Sequence, residues 1–243
     1  MPTALAIIPH PDDESYSFGG TLAILADAGW RIEVRCASAG EKGHRHDRGR
    51  KDQMSVAAAR LDELEDSCRV LGAGEPLCWG LPDGGLRFAP SQARRVAETV
   101  RLLTPDIILS LGEDGAYGHP DHLAVYRWIV DGLALLPAPQ PAWLRAAFPP
   151  GLFLPQYEKC IGMMGEPPSL TRPAIGSAVP SLEVDIRPVR HRKLAAIAAH
   201  RSQLPGGDPE ALFPPGIIAA LLATERFVCD ASAAALVPGA TPT

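Results

Sequence analysis

The stretch Ala4-Leu5-Ala6-Ile7-Ile8-Pro9-His10-Pro11-Asp12-Asp13-Glu14 joins an unbroken apolar run to one histidine and three acids. The apolar run suits a strand buried on both faces of a parallel sheet. Pro9 and Pro11 end the strand and stiffen the turn that follows. His10, Asp12, Asp13 and Glu14 therefore gather just beyond a strand's carboxyl end, the edge at which open α/β sheets bind ligands. Charge concentrated there is costly unless a metal, a partner or solvent compensates it. A helix start, expected near Ser17 to Gly20, also attracts acids as caps. Capping alone needs neither a histidine between two prolines nor two adjacent aspartates.

A second cluster repeats the arrangement. Thr104-Pro105-Asp106-Ile107-Ile108-Leu109-Ser110-Leu111-Gly112 reads as another buried strand, entered through a proline turn. The polar loop Glu113 to Gly118 leads to His119-Pro120-Asp121-His122, and Pro120 suits the first turn of a helix. If the two strands run parallel, both clusters occupy one edge of one sheet. His and Asp donors brought together there can hold a divalent metal and activate water.

Between and after these clusters, strands and helices alternate. Arg31 to Ala37 reads as a second strand, and a long amphipathic helix runs to about Leu71, ended by Gly72. Leu77 to Gly80 is a short strand, and Pro90 to Leu103 is helical. Such alternation predicts an α/β fold: a doubly wound, mostly parallel, Rossmann-like sheet with helices on both faces. Prolines then crowd residues 137–180, which predicts irregular loops and short strands, with no long helix, in an insertion that shapes the site. Leu182 to Ile186 alternates like a strand with one wet face. Helices are expected over Val189 to Gln203 and over most of Ala211 to Ala223, and a frayed tail over 232–243. The whole chain, 1–243, is expected to be one domain.

Composition excludes several classes. A hydrophobic content of 46% supplies a sizeable core, and a net charge of −5 offers no basic field for nucleic acid. Met1-Pro2-Thr3 leads straight into the first strand without a leader, and no apolar run reaches bilayer length, so neither export nor a membrane partner is expected. The five cysteines Cys36, Cys68, Cys78, Cys160 and Cys229 form no C-x-x-C pair. Reduced thiols in a cytoplasmic setting are the expectation, with Cys36 a small core hydrophobe.

Pro9 to Glu14 together with His119 to His122 resembles the LmbE-like, PIG-L-type family of zinc-dependent N-acetylglucosaminyl deacetylases. Further marks agree along residues 4–204: Gly19-Gly20-Thr21-Leu22, Ser38-Ala39-Gly40-Glu41, Arg60-Leu61-Asp62-Glu63, Val70-Leu71-Gly72, Leu81-Pro82-Asp83-Gly84, and Lys193 with His200-Arg201-Ser202-Gln203. The resemblance implies one Zn²⁺ per chain, held by His10, Asp13 and His122, with Fe²⁺ among the divalent ions the same donors accept. It assigns Asp12 as the general base that takes a proton from a metal-bound water, which then attacks the amide carbonyl. That assignment of the two acids rests on the family, not on spacing. His119, protonated and oriented by Asp121, would stabilise the oxyanion and then protonate the leaving amine. Tyr117 resembles a tyrosine that polarises the carbonyl. Arg60 and Asp83 match positions that hold the sugar or its neighbouring group, while Glu14 supports the motif. His44 and His46 read as a basic loop rather than a second metal site. His200, Ser202 and Gln203 are either structural or part of the pocket rim.

The implied partner is a small acylated amino sugar, with no nucleic acid and no membrane; a homo-oligomer stays open. Related enzymes act on intermediates of mycothiol or bacillithiol synthesis, chitin fragments, glycolipids or glycopeptide antibiotics, and the motif with Arg60 resembles the bacillithiol type. Two other classes compete: a metal-dependent phosphoesterase and a non-catalytic sugar- or metal-binding member of the fold. The histidine pair favours zinc over the oxygen-rich sites of Mg²⁺, and a binding module has no need of Asp12 and His119 beside a complete ligand set.

Overall fold

The computed structural model describes residues 1–164 and 172–243. In chain order the elements are β1 (Thr3–Ile8), α1 (Asp13–Asp27), β2 (Arg31–Ser38), α2 (Gln53–Leu71), β3 (Leu77–Leu81), α3 (Ala93–Leu103), β4 (Ile107–Leu111) and the short, distorted α4 (Gly115–Gly118). There follow α5 (Pro120–Ala134), β5 (Ala142–Ala147), α6 (Leu154–Met164), β6 (Leu182–Asp185), α7 (Arg190–Ala199), α8 (Ile217–Leu221), β7 (Thr224–Val228) and β8 (Ala240–Pro242). The strands form one sheet in the order β3-β2-β1-β4-β5-β7-β6-β8. The pairs from β3 through β5 are parallel, and β7, β6 and β8 extend the sheet antiparallel. This is the doubly wound, mostly parallel α/β sheet expected from the sequence.

β1 is buried at every position, and its residues alternate between two cores. Ala4, Ala6 and Ile8 join Leu22, Leu64 and Ile197 of α1, α2 and α7, while Leu5 and Ile7 join Val96 and Trp128 of α3 and α5. Each such aliphatic side chain contributes about 1.5–3 kcal/mol by its burial. Strand order reverses between β1 and β4, which opens a crevice at their carboxyl ends. The two motifs emerge there side by side.

Several boundaries differ from the sequence expectation. α1 begins at Asp13, not near Ser17 to Gly20, because the Asp12 carbonyl accepts the N–H groups of Ser15 and Tyr16 at 3.0 and 3.2 Å. The helix breaks at Phe18 (φ −152°) and resumes at the Gly19-Gly20 pair. At the break the Gly20 and Thr21 N–H groups donate to the Glu225 carboxylate at 2.8 and 2.7 Å. Lys193 Nζ lies 2.6 Å from the same carboxylate, fully buried. Gly20 is required by close approach: a Cβ there would stand 2.5 Å from Ile186.

The C-terminal third holds the largest departures. α6 is an ordinary helix inside the Pro-rich stretch, because Pro155 sits in its first turn and the next proline comes only at 167. Pro167 and Pro168 lie outside the described residues. The helix expected over Ala211 to Ala223 shrinks to α8, and Thr224 to Val228 becomes β7, pairing with both β5 and β6. The tail is not frayed, since β8 pairs with β6 and Val237 is buried. Among the described residues no helix is long and apolar enough to cross a membrane.

The Lys193–Glu225 pair carries the clearest stability consequence. Glu225→Ala leaves a buried ammonium and two backbone donors without their acceptor, and is expected to cost about 3–5 kcal/mol. Urea unfolding measures it; a loss below about 1 kcal/mol would contradict this account of the α1 break.

Candidate metal centre and active site

At the end of β1 the chain turns through Asp12, whose φ of 120° (ψ −27°) lies where side chains are strained. Such a residue costs of order 1–3 kcal/mol and must be held by its surroundings. Arg60 on α2 does the holding. Its guanidinium donates to Gly40 O at 2.9 Å, to Pro11 O, and to Asp12 Oδ2 at 2.9 Å. A Cβ at Gly40 would meet Arg60 Nη1 at 2.2 Å, so glycine is the residue that lets the guanidinium in. Asp12 N–H donates to Glu14 Oε2 at 3.0 Å. The Asp12 side chain makes no cap bond to α1, which removes helix capping as its purpose.

His10 and His122 face each other across Asp13. His10 Nδ1 is 3.5 Å from Asp13 Oδ2, and His122 Nε2 is 3.5 Å from Asp13 Oδ1. Tetrahedral zinc with bonds of about 2.0–2.1 Å requires ligand–ligand separations near 3.4 Å; each contact matches that spacing, and the two fall on different oxygens of Asp13. His122 Nδ1 lies 3.0 Å from the Gly115 carbonyl, which fixes the proton there and leaves Nε2 as a lone pair. That Nε2 is buried with no hydrogen-bond partner, as a ligand awaiting a cation would be. His10 Nε2 is supported in turn by Asp83 Oδ1 at 3.1 Å and Asp121 Oδ2 at 3.3 Å.

Among the described residues two groups of three can hold a metal, and both include His10 but not Asp13: His10–His119–His122 and His10–Asp83–Asp121. The second is already engaged by protein donors. Asp121 accepts the N–H groups of Gly84 at 2.7 Å and Leu86 at 2.9 Å. Asp83 Oδ2 accepts Lys42 N–H at 2.8 Å. In the first, His119 Nδ1 accepts Asp121 N–H at 3.3 Å. Asp121 thus meets His119 through its backbone N–H, while its carboxylate serves His10.

Charge follows this layout. Burial opposes ionisation of Asp13, but the flanking His122 and His10 outweigh it and hold the carboxyl well below its usual range. Asp83 behaves likewise beside His10. Burial also works against protonation of His10, yet Asp121, Asp13 and Asp83 together raise it well above the ordinary imidazole value. In this cage a proton and a metal compete for the same nitrogen. Asp12 goes the other way: burial, opposed by Arg60 and reinforced by Asp13, pushes it up to about 6. His119 falls to about 3 through burial and the nearby His122 and His10. It is therefore neutral near pH 7, and since Nδ1 accepts a hydrogen bond, Nε2 carries the proton. The expectation of a protonated His119 is revised to a neutral donor.

Two cavities flank the cluster and share Asp12, Asp13 and Tyr117. A polar cleft of about 280 Å³ includes His10, Lys42, Arg60, Asp83, His119 and Gln203. An apolar cavity of about 160 Å³ is walled by Tyr16, Phe148, Phe153, Leu212 and Phe213, with Gln156 and Lys159. Phe148, Phe153, Gln156 and Lys159 come from the Pro-rich stretch, which does shape the site. Tyr117 is partly buried beside His122 (ring centroids 5.2 Å). Its placement follows from Ala116 at φ 64°, held as Asp114 accepts Ala116 N–H at 3.0 Å and Gly176 N–H at 2.9 Å.

The remaining motifs resolve. Glu14 is fully buried, accepting from Ser67 Oγ and lying 2.8 Å from His200 Nε2. Ser202 donates through N–H and Oγ to Glu63, both at 2.7 Å, so His200 and Ser202 are structural and Gln203 is rim. Arg60 lines the cleft, and its Nη1 and Nη2 donate to Asp12 and two carbonyls while Nε has no partner. His44 and His46 sit edge-on in an exposed loop, with ring centroids 4.7 Å apart, outside the metal-capable groups. Sequence reading passed over Asp114 and Glu225; neither lies in a motif, and each acts through contacts far along the chain.

The fold and this site carry a likeness to known proteins. Residues 5–132 match the PIG-L family model, described as GlcNAc-PI de-N-acetylase, and the chain belongs to that family. It is 30% identical to a 1D-myo-inositol 2-acetamido-2-deoxy-alpha-D-glucopyranoside deacetylase of Nakamurella multipartita, over 83% of this chain and 80% of that one. It is 26% identical to a probable N-acetyl-alpha-D-glucosaminyl L-malate deacetylase of Bacillus cereus, over 82% of each. The solved N,N'-diacetylchitobiose deacetylase of Pyrococcus horikoshii shares the fold, with a TM-score of 0.64 and 24% identity, covering 97% of this chain and 86% of that one.

Asp83→Asn tests the support of His10. Losing this carboxylate is expected to weaken binding of a divalent metal about 10–100-fold, read by competition with a chelator. An unchanged affinity would remove Asp83 from the metal's support.

Proposed function

We propose that the chain is a zinc-dependent deacetylase that removes the acetyl group from a small N-acetylglucosamine conjugate. The observation that carries this reading is Asp12: a half-buried carboxyl, strained into place next to Asp13 and held there by Arg60. Two imidazoles and one carboxylate suit Zn²⁺ and leave it net positive. When bound, the ion supplies Lewis-acid polarisation of the carbonyl and acidification of water.

The protein groups divide the proton work. Asp12 accepts the proton of the attacking water, and Arg60 keeps its carboxylate aimed and its backbone strained. The neutral His119 donates from Nε2 to the developing oxyanion, with the Tyr117 hydroxyl as a second donor to the same oxygen. Asp12, protonated in the first half, returns its proton to the leaving amine. The polar cleft receives the sugar, with Asp83 and Gln203 on its walls. The relatives named for inositol and malate conjugates support a small hydroxylated or anionic aglycone, with Lys42 at the mouth for the anionic case. The phosphoesterase alternative would draw on His10–Asp83–Asp121, whose oxygens are already occupied by backbone donors.

Asp12→Asn is expected to keep its metal and lose about 10²–10⁴-fold in kcat, measured by amine release from N-acetylglucosamine conjugates with metal content assayed in parallel. Unchanged turnover with metal retained would end the role of Asp12. In the wild type, Asp12 must be deprotonated to act. Because burial raises its pKa to about 6, activity should fall as pH drops through that region. The charge of a bound cation shifts this limb downward, so it should lie at or below about 6. A chelator should abolish amine release and Zn²⁺ restore it; chelator-resistant turnover would contradict the proposal.

A further inference from the structure

We propose that Cys36 and Cys78 form a reversible redox pair, closing to a disulfide across β2 and β3 when an oxidant reaches Cys78. The two residues are register partners on adjacent parallel strands, so their side chains leave the same face of the sheet. Neighbouring strands lie about 4.8 Å apart, within the Cα separation of about 4.4–6.8 Å that a disulfide spans. The ladder shifts register between Cys36 and Ser38, immediately after the pair.

The two thiols are unlike in the way a redox pair requires. Cys36 is fully buried and packed against main chain, its Sγ 3.1 Å from Ser38 O and 3.8 Å from Pro9 O. Burial raises its pKa well above the ordinary thiol value, so it is inert by itself. Cys78 is half-buried on the edge strand β3, and its Sγ accepts the Gly80 N–H at 3.4 Å. The adjoining Cys36 thiol, together with the Gly80 N–H donated to its sulfur, brings Cys78 down to about 7 despite its partial burial. A substantial thiolate fraction near neutral pH, exposed to solvent, marks the attacking sulfur.

With hydrogen peroxide as oxidant the chemistry balances. The Cys78 thiolate attacks one peroxide oxygen and the O–O bond breaks; hydroxide leaves and takes up a proton to become water. Cys78 is then a sulfenic acid. The Cys36 sulfur displaces its hydroxyl, which leaves as a second water with the Cys36 proton. The two sulfurs lose two electrons and peroxide gains them. Closure draws Cys36 Sγ away from the carbonyls of Ser38 and Pro9. Pro9 directly precedes His10, and β3 ends two residues before Asp83. The pair thus sits beneath two sections of chain that reach the metal centre. Its formation does not depend on the deacetylase reading.

The test treats the metal-loaded protein with a small excess of hydrogen peroxide and maps peptides without reduction. The expected result is a linked Cys36–Cys78 peptide, loss of two thiols per chain, and full recovery with dithiothreitol. Cys78→Ser should lose no thiol at the same dose, whereas Cys36→Ala should form no linked peptide and stop with Cys78 as a sulfenic acid; if the buried Cys36→Ala does not fold, the half-exposed Cys78→Ser carries the control. Unchanged thiols, or a Cys78 driven to sulfinic acid beside a free Cys36, would overturn the proposal.

Discussion

Buried negative charge at the crevice between β1 and β4 is the constraint that the rest of the molecule is arranged around. Asp13, Asp83 and Asp121 converge on His10 with little exposure to water, Asp12 is half-buried against Arg60, and Glu14 is fully buried. Such a cluster is unstable unless cations or donors answer it. The protein supplies backbone N–H groups to Asp121, Asp83 and Glu14, an arginine to Asp12, and histidines to Asp13 and Glu14. What these leave is an orphaned nitrogen, Nε2 of His122, facing Asp13 beside His10, which the proposed divalent ion would answer.

The scaffold holds these groups from several directions. The α2 helix contributes Arg60 and Glu63 on one face, and Glu63 grips Ser202 just after α7. His200 at the end of α7 reaches back to Glu14. Glu225 on β7 and Lys193 on α7 secure the break in α1, directly after the acidic motif. The motif is therefore positioned by helices and strands from both ends of the chain, not by its own turn. That rigidity suits chemistry in which a base must stay within reach of one water.

The central sheet and the meeting of the two motifs at its edge were legible in the sequence because both are written locally. β1, β2 and β4 are short apolar runs with proline or charge at their ends, and each motif places its donors within a few residues. The C-terminal third was less legible for a physical reason. Whether Thr224 to Val228 is a strand depends on pairing with β5 and β6, and β8 depends on β6 in turn; neither has a strong period of its own. Pro155 was read as a helix breaker although a first-turn proline starts α6 comfortably. Roles resting on a neighbour's direction were beyond sequence as well. The carbonyl acceptors of Arg60 and the contact of the Asp121 carboxylate with His10 are visible only in the fold.

The account turns on where a metal sits among residues that offer more than one set of donors. A crystal structure of the metal-loaded protein, with anomalous diffraction collected at the zinc edge, tests this most directly. The predicted result is one anomalous peak per chain, bonded to His10, Asp13 and His122, with Asp12 close by and unbonded. A peak held by His10, Asp83 and Asp121, or none at full zinc loading, would contradict it.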